Sequence, residues 1–437
     1  MNIHRPLVVV ATAMVGVSAF HATSSAQVTR DNIQVVTLED ARQRALAVSP
    51  ATIAARGEAD VAAWSRRSAL TDLVTPNVTA GTSYASYSDP FFNPGTGNIS
   101  SSATSATLQA SYTIFGGGKF AALKRSRASL ERAAAGETAA TFRSVLHTDA
   151  AYYSVLADQE LKRVAEARLE RAEEQLSVAR SRAQTGYAIA TDSLQLTLEV
   201  NKARLDLLRR DSALTVSRLR LGNMIGLTGP ADAAPIDSAR LAELPFSQEQ
   251  AITELRTRGP ALVVARANEQ QANAALSFER EAYLPAITIA AQTGAYDSRL
   301  FPSAYNRSQF AVNVSLPIWN GGLREVSVAR ARAERNVAKA EREERERGAA
   351  EEMAGAYNGY NTARAATELA RVGIVAATEN YRVQRARYRE GSTTILDLLE
   401  AQVALSEAES ALVQSRYAAR LALAQLEALL GRRVFEN

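Results

Sequence analysis

Cysteine is absent from the 437-residue chain, and histidine is scarce. The absence of cysteine excludes disulfides, thiolate metal sites, a cysteine nucleophile and a lipid-modified N-terminal cysteine. Of the three histidines, His4 and His21 lie in a predicted leader, which leaves His147. A zinc site or a Ser-His-Asp centre needs more than this chain offers, so we expect no enzyme, no metal site and no cofactor.

Extremes of charge and composition are also missing. The formal net charge is +4, which is small for this length and indicates no nucleic-acid partner. Hydrophobic residues make up 46% of the chain, which excludes a disordered protein. The chain is therefore expected to fold.

The first 26 residues have the pattern of a signal peptide. Arg5 precedes an apolar stretch, residues 7–20, and small residues follow at positions 24–26. The apolar stretch is short for a bilayer span and polar sequence follows it, so a retained membrane anchor is the weaker interpretation. We expect removal of residues 1–26 and export of a mature chain that begins near Gln27.

One turn-like stretch occurs twice. SRAQTGYAIATDSLQLT, residues 181–197, returns as RARYREGSTTILDLLEAQ, residues 385–402, and each has a Gly six residues before an Asp. Ile-Phe-Gly-Gly-Gly at 114–118 and Ile-Trp-Asn-Gly-Gly at 318–322 keep the same offset of about 205 residues. The sequence predicts two copies of one structural unit. Their bounds are residues 27–226 and 247–437, joined by a linker, residues 227–246, for which we expect at most a short helix.

Each unit is predicted to have the same order of elements. An alanine-rich helix, residues 37–73 and 247–283, precedes two strands separated by a polar loop, residues 89–102 and 298–308. A proline-free helix follows, residues 119–185 and 323–390, and reaches about 100 Å. The charged run at 341–347 within the second of these helices is expected to be a solvated face with pairs inside the helix.

A shorter helix of about 35 residues then runs back in each unit. Its apolar residues recur at spacings of three and four, as in Leu398, Ala401 and Leu405. The opening and returning helices together nearly equal one long helix in length. We therefore expect them to stack end to end beside it.

Two of the four predicted strands, residues 108–114 and 309–318, alternate apolar and polar side chains, and their partners, residues 75–88 and 284–297, are less regular but of similar length. In the last strand Phe310, Val312 and Val314 alternate with polar or small residues, and the alternation continues to Ile318. This pattern suits the wall of a membrane β-barrel and also a soluble sandwich. Four strands do not close on themselves, so either several chains share one barrel or the strands lie outside a membrane. Two chains would give eight strands and a filled barrel, whereas three would give twelve strands and an aqueous lumen, which suits the long helices better.

The stretch RYREGSTTILDLLEAQ closely resembles the helix-turn motif of the TolC family of outer-membrane efflux channels. The duplicated layout resembles that family over residues 37–431. The resemblance implies an α+β membrane protein, a homotrimer with a twelve-stranded β-barrel among outer-membrane lipids on a long periplasmic α-helical barrel. It also implies two protein partners, a periplasmic adaptor (membrane fusion protein) and an inner-membrane pump of the RND, ABC or MFS type.

The resemblance assigns roles to residues of the two turns. Asp397 and Glu400 match acidic residues of the pore constriction, where crowding of carboxylates is expected to raise some pKa values. Tyr388 and Asp192 match a pair that helps to latch the mouth shut. The residues placed to meet the adaptor are Gly186, Tyr187, Thr191, Gly391, Ser392 and Thr394.

Plain structural roles remain open for the same residues. Gly186 and Gly391 suit ordinary helix ends, Asp192 and Asp397 suit helix caps, and both kinds of role can coexist. In the family an Arg follows two residues after the tip Gly, whereas this chain has Thr393. The corresponding latch from Arg to Asp is therefore absent.

Passive conduction for an efflux pump is the leading functional prediction. An outer-membrane channel for type I protein secretion is the alternative of the same class, and a periplasmic coiled-coil scaffold is the alternative of a different class. The sequence does not name the cargo.

Overall fold

The computed structural model describes residues 33–94, 96–184, 190–236, 242–299 and 305–435. The predicted leader at 1–26 and the predicted adaptor contacts Gly186 and Tyr187 lie outside these residues. From Gln34 onward the chain forms one unit.

The order of elements repeats along the chain. The first half contains β1 (Gln34–Val36), α1 (Leu38–Val48), α2 (Pro50–Val74), β2 (Asn77–Asn93), β3 (Asn98–Phe115), α3 (Lys119–Gln184) and α4 (Ala190–Met224). The second contains β4 (Ala231–Ala233), α5 (Gln248–Arg258), α6 (Pro260–Glu281), β5 (Ala286–Asp297), β6 (Tyr305–Ser315), α7 (Leu323–Glu390) and α8 (Ile395–Leu430). Two helices, a hairpin, a long helix and a returning helix thus follow one another in each half. The unit boundaries at 27–226, 227–246 and 247–437 stay a prediction.

The opening helix of each half is broken in two, so the prediction of a single helix was wrong. Pro50 and Pro260 occupy the first position of α2 and α6. The residues before them have extended backbone, with ψ of 120° at Ser49 and 125° at Gly259. Proline lacks an N–H and disfavours helical backbone in the residue before it, which accounts for both breaks.

The strands and the linker also differ from the prediction. β2 continues to Asn93 and β3 begins at Asn98, so most of the loop predicted at 89–102 is strand, with a register shift between Ser86 and Phe91. β6 ends at Ser315 rather than at Ile318. In the linker the structure has a strand, β4, which pairs in parallel with β1.

The hairpins join into one antiparallel sheet in the order β2-β3-β5-β6. Gln109 lies opposite Gln292, which lies opposite Gln309, and the next row joins Ala110, Ala291 and Phe310. Because paired residues of antiparallel strands share a face, these rows form one polar and one more apolar face. The predicted alternation is therefore confirmed in the pairing. Within the described residues, β2 and β6 are each paired along one side only.

The helices lie side by side in the same order as the strands to which they connect. α3 packs against α2 and α6, and α6 packs against α7. Further along, α3 packs against α4 and α8, and α8 packs against α7. Both α2 and α4 thus lie along α3, as the length argument predicted, while α7 forms the opposite edge. None of the described helices is long and apolar enough to cross a bilayer.

The charged run in α7 is more than a solvated face. Arg342 pairs with Glu346 at 2.5 Å inside the helix, as expected. Its Nε also donates to Glu269 of α6 at 2.5 Å, so the run ties α7 to its neighbour.

Candidate functional site

The ends of α3, α4, α7 and α8 share an apolar cluster, and we call residues 172–184, 190–203 and 381–405 the tip. Buried members come from all four helices: Ala172, Leu176, Ala179, Leu196, Val200, Ala203, Tyr381, Tyr388, Ile395, Leu398, Ala401 and Leu405. The mixture of small and large residues at helical spacing allows close approach of the helices. The predicted seams of α4 and α8 are thus buried where they meet the long helices.

Gly391 ends α7 with a left-handed backbone. Its φ is 76°, and its N–H donates to the main-chain oxygen of Tyr388 at 3.1 Å. The N–H of Ser392 donates to the oxygen of Arg387 at 2.9 Å. Glycine adopts this backbone without the Cβ penalty, so the predicted helix end at Gly391 is confirmed.

Thr394 and Asp397 begin α8 with a reciprocal cap. The Asp397 N–H donates to Thr394 Oγ1 at 3.3 Å, and the Thr394 N–H donates to Asp397 Oδ2 at 3.0 Å. Thr394 occupies the N-cap position and Asp397 the third position of the helix. The cap residue is therefore Thr394, with Asp397 as its partner rather than as the cap itself.

The Asp397 carboxylate also accepts two hydroxyl groups. Thr394 Oγ1 donates to it at 2.6 Å and Thr393 Oγ1 at 2.9 Å. These donors, Thr394 first, hold the pKa of Asp397 below its ordinary value. Glu400, the other predicted constriction residue, lies exposed on α8 three residues further on.

Tyr388 and Asp192 meet across the two repeats. The Tyr388 hydroxyl donates to Asp192 Oδ2 at 3.4 Å, and the Tyr388 ring is buried. Burial, with the charge of Asp192 as the next cause, raises the pKa of Tyr388 above its ordinary value. The resemblance paired these residues, and the structure brings them into contact; whether the contact latches a mouth stays a prediction.

Arg182, near the end of α3, is a tip residue that the sequence reasoning did not single out. Its Nη1 donates to the main-chain oxygen of Tyr388 at 2.5 Å, and its guanidinium lies 5.3 Å from the centre of the Tyr388 ring. The sequence carries no signal for this contact, because Arg182 and Arg387 occupy equivalent positions in the two copies and only Arg182 turns inward.

Two buried amides, Gln175 and Gln402, lie within the tip, farther from the turns than Tyr388. Gln175 donates from Nε2 to the Tyr381 hydroxyl at 2.9 Å. Gln402 is fully buried, and its amide oxygen and nitrogen have no partner among the described residues. The contact between Arg171 and Ser406 places α3 and α8 side by side in opposite directions, so Gln175 and Gln402 lie at about the same level.

The other predicted adaptor contacts that the structure describes, Thr191, Gly391, Ser392 and Thr394, are all exposed at this end of the helices. Among the described residues, no group of three or more His, Asp or Glu side chains is arranged to hold a metal ion. The tip is thus a closely packed helix end with an exposed polar surface.

Comparison with known proteins identifies a family match. The sequence profile of the family described as outer membrane efflux protein matches residues 35–227 and 251–432. These ranges include both hairpins, both long helices and both returning helices.

Two curated relatives have related names. Over 272 residues the chain is 28% identical to the antibiotic efflux pump outer membrane protein ArpC of Pseudomonas putida, covering 61% of this chain and 56% of ArpC. It is 24% identical to the outer membrane protein TolC of Escherichia coli, covering 73% of this chain and 67% of TolC. The chain thus spans less than two thirds of the length of ArpC.

A solved structure shares the fold. The CmeC outer membrane channel of Campylobacter jejuni superposes with a TM-score of 0.79 over 92% of this chain and 87% of CmeC, at 17% identity. At this level of identity the likeness concerns the fold alone.

Proposed function

The chain belongs to the outer membrane efflux protein family, and from that membership we propose that it is the outer-membrane channel of a tripartite efflux system. The protein is an outer-membrane protein, as the names of its family and relatives state. It conducts passively, and an inner-membrane pump supplies the energy. A periplasmic adaptor joins the pump to the tip.

One observation carries the proposal: among the residues that the structure describes, neither lateral edge of the sheet has a partner strand. In the sheet these are the outer edges of β2 and β6. Unpaired strand edges are unfavourable in lipid, where no water satisfies the backbone, so the edges require strands from other copies. Head-to-tail pairing of β6 with β2 of the next copy closes a ring, and three copies supply twelve strands around an aqueous lumen.

The helices support the same closure. α4 and α7 form opposite edges of the lower part, and each exposes large apolar side chains on its surface. On α4 these include Leu194, Leu198, Leu205 and Leu208, and on α7 Leu369, Val372 and Val375. Exposed apolar stripes of this kind mark contact surfaces. Packing of α4 against α7 of the next copy buries them and extends the barrel into a helical tunnel.

The length of the helices suits a tunnel across the periplasm. α3 has 66 residues and α7 has 68, which corresponds to about 100 Å for each. In this assembly the tip is the periplasmic mouth. Asp397 and Glu400 contribute to a ring of carboxylates, Tyr388 with Asp192 belongs to the latch, and the exposed turn residues face the adaptor.

Fractionation and bilayer recordings test the proposal. We expect the full chain in the outer membrane, as a detergent-stable complex with the mass of three chains that forms ion-conducting pores in planar bilayers. A water-soluble product that forms no pore would favour the coiled-coil scaffold. Deletion of the gene separates the two channel functions, since accumulation of small toxic compounds indicates efflux, whereas loss of one secreted protein indicates type I secretion.

A further inference from the structure

Arg182 of the first repeat contacts Tyr388 of the second at the tip, through both the main chain and the aromatic ring of Tyr388. Arg182 lies in the last turn of α3, and its acceptor, the main-chain oxygen of Tyr388, lies in the last turn of α7. The guanidinium contacts Tyr388 by donating to this oxygen and by lying over the aromatic face. Such charge-assisted hydrogen bonds and cation–π contacts are stronger when they are half-buried, as here.

The main-chain oxygen of Tyr388, which accepts from Arg182, lies at the C-terminal end of α7. The last four carbonyl groups of a helix lack partners in the helix, and the helix dipole makes this end negative. Tyr388 supplies one of these carbonyls, which accepts the Gly391 N–H as well as Arg182. A cation at this point caps the end of α7 and favours its present turn.

Gly391 leaves the space that Arg182 uses. A Cβ built on Gly391 would lie 3.3 Å from Nη2 of Arg182, closer than most side-chain contacts. The glycine therefore serves the left-handed turn and also the approach of the guanidinium. The two repeats are in contact here through a side chain of the first and the turn of the second.

We propose that Arg182 is a positioning residue of the gate, which holds Tyr388 and the turn between α7 and α8 against α3 in the resting state. The inference rests on the proposed channel function. Arg182 acts through Tyr388, whose hydroxyl contacts Asp192. Thr393 stands where the resemblance would have an Arg, and Arg182 of the first repeat supplies a cation that contacts the end of α7.

The chain offers a matched control. Arg387 is the equivalent of Arg182 in the second copy, is exposed, and makes no ion pair among the described residues. After the Thr394 and Thr393 donors, its charge helps to lower the pKa of Asp397, so the control is compared by open fraction and not by ion selectivity. A substitution there removes the same side chain from the same kind of helix end without touching the contact between α3 and Tyr388.

The test measures the resting conductance of the full-length channel in planar bilayers. We expect Arg182→Met to raise the open fraction about tenfold, which corresponds to about 1.4 kcal/mol. Arg182→Lys keeps a charge and a donor and should stay near wild type, and Arg387→Met should match wild type. Because Arg182 acts through Tyr388, Arg182→Met combined with Tyr388→Phe should raise conductance by less than the product of the two single effects.

Each result decides the inference. Unchanged conductance in Arg182→Met, or independent effects of Arg182→Met and Tyr388→Phe, overturns it while leaving the channel intact. If Arg182→Met and Arg182→Lys both fail to form heat-stable oligomers while Arg387→Met forms them, Arg182 is required for folding and the gating role is rejected. A wild-type chain that forms no pore overturns the proposed function and the inference together.

Discussion

The Thr393 hydroxyl donates to the Asp397 carboxylate at 2.9 Å, four residues along the chain. An Arg at this position would neutralise the carboxylate, whereas a hydroxyl stabilises its charge without cancelling it. Thr394 adds a hydroxyl and an N–H to the same oxygen. The turn therefore keeps Asp397 negative at the mouth and, at the same time, uses it to begin α8.

Cation selectivity is expected to depend on Asp397 and Glu400. The double variant Asp397→Ala with Glu400→Ala removes both carboxylates from each chain, so the preference for cations, measured as the reversal potential in a salt gradient, should fall. Glu341→Ala with Glu344→Ala is the control, since both residues are exposed on α7 far from the tip and the same number of charges is removed. Equal effects of the two double variants would remove Asp397 and Glu400 from the constriction.

The pH dependence of this selectivity follows from the lowered pKa of Asp397. The hydroxyl and N–H donors favour the charged form of the Asp397 carboxylate, which both completes the cap and attracts cations. The stability that the cap contributes is therefore present above the ordinary pKa of about 3.9, and it is lost as the pH falls through the lower pKa of the folded state. Selectivity due to Asp397 should therefore persist between pH 7 and about pH 5. A loss centred near neutral pH would show that the neighbouring copies raise its pKa, as crowding in the ring predicts.

Tyr388→Phe should raise the resting conductance. The substitution removes only the hydroxyl that donates to Asp192, at a distance of 3.4 Å. A hydrogen bond contributes about 0.5–1.5 kcal/mol net, which limits the change in the open fraction to about tenfold. Tyr381→Phe is the control, since it removes a hydroxyl that accepts from Gln175 and lies about two helical turns before Tyr388 on α7. The prediction fails if Tyr381→Phe opens the channel as much as Tyr388→Phe does.

The two long helices were predictable from the sequence almost to the residue. Their interiors lack proline, and Gly322 and Gly391 mark the limits of α7. The length of the first hairpin was not predictable, because Asp89, Pro90 and Pro94 have the chemistry of turns. β2 nevertheless continues past Pro90 through a register shift, which only its pairing with β3 reveals.

Much less of the tip was predictable. The capping pattern of Thr394 and Asp397 was visible as residue types, but the contact between Tyr388 and Asp192 came from resemblance alone. Arg182 was missed because local sequence does not say which of two equivalent arginines turns inward. That choice depends on the packing of α3 against α7, which is a property of the whole fold.

Gln402→Leu should stabilise the folded chain. Gln402 is fully buried and its amide has no partner among the described residues. The folded chain therefore loses the free energy of hydration of both polar atoms without a compensating hydrogen bond. Leucine is of similar size and needs no partner, and the expected gain is about 1–3 kcal/mol in the free energy of unfolding. Denaturant unfolding measures it, with the exposed Gln414→Leu as a control of near-zero effect. Destabilisation by Gln402→Leu would mean that water or a neighbouring copy satisfies the amide in the assembly.

Gly116→Ala should prevent assembly, whereas Gly117→Ala should be tolerated. Both glycines follow β3 with left-handed backbone, at φ of 79° and 62°. A Cβ on Gly116 would lie 2.0 Å from the main-chain oxygen of Pro285, just before β5, whereas a Cβ on Gly117 meets only the Thr113 methyl at 3.6 Å. Both variants bear the left-handed strain of about 1–2 kcal/mol.

Gly116→Ala must also move the main chain that leads into β5, and this displacement adds about 1–3 kcal/mol or more to the free-energy cost of the substitution. The sheet depends on the pairing of β3 with β5, since this pair joins the two hairpins. We therefore expect the yield of heat-stable oligomer in the outer membrane to fall sharply for Gly116→Ala and only slightly for Gly117→Ala. Similar yields for the two variants would mean that the approach of Pro285 to Gly116 does not limit the joining of the hairpins.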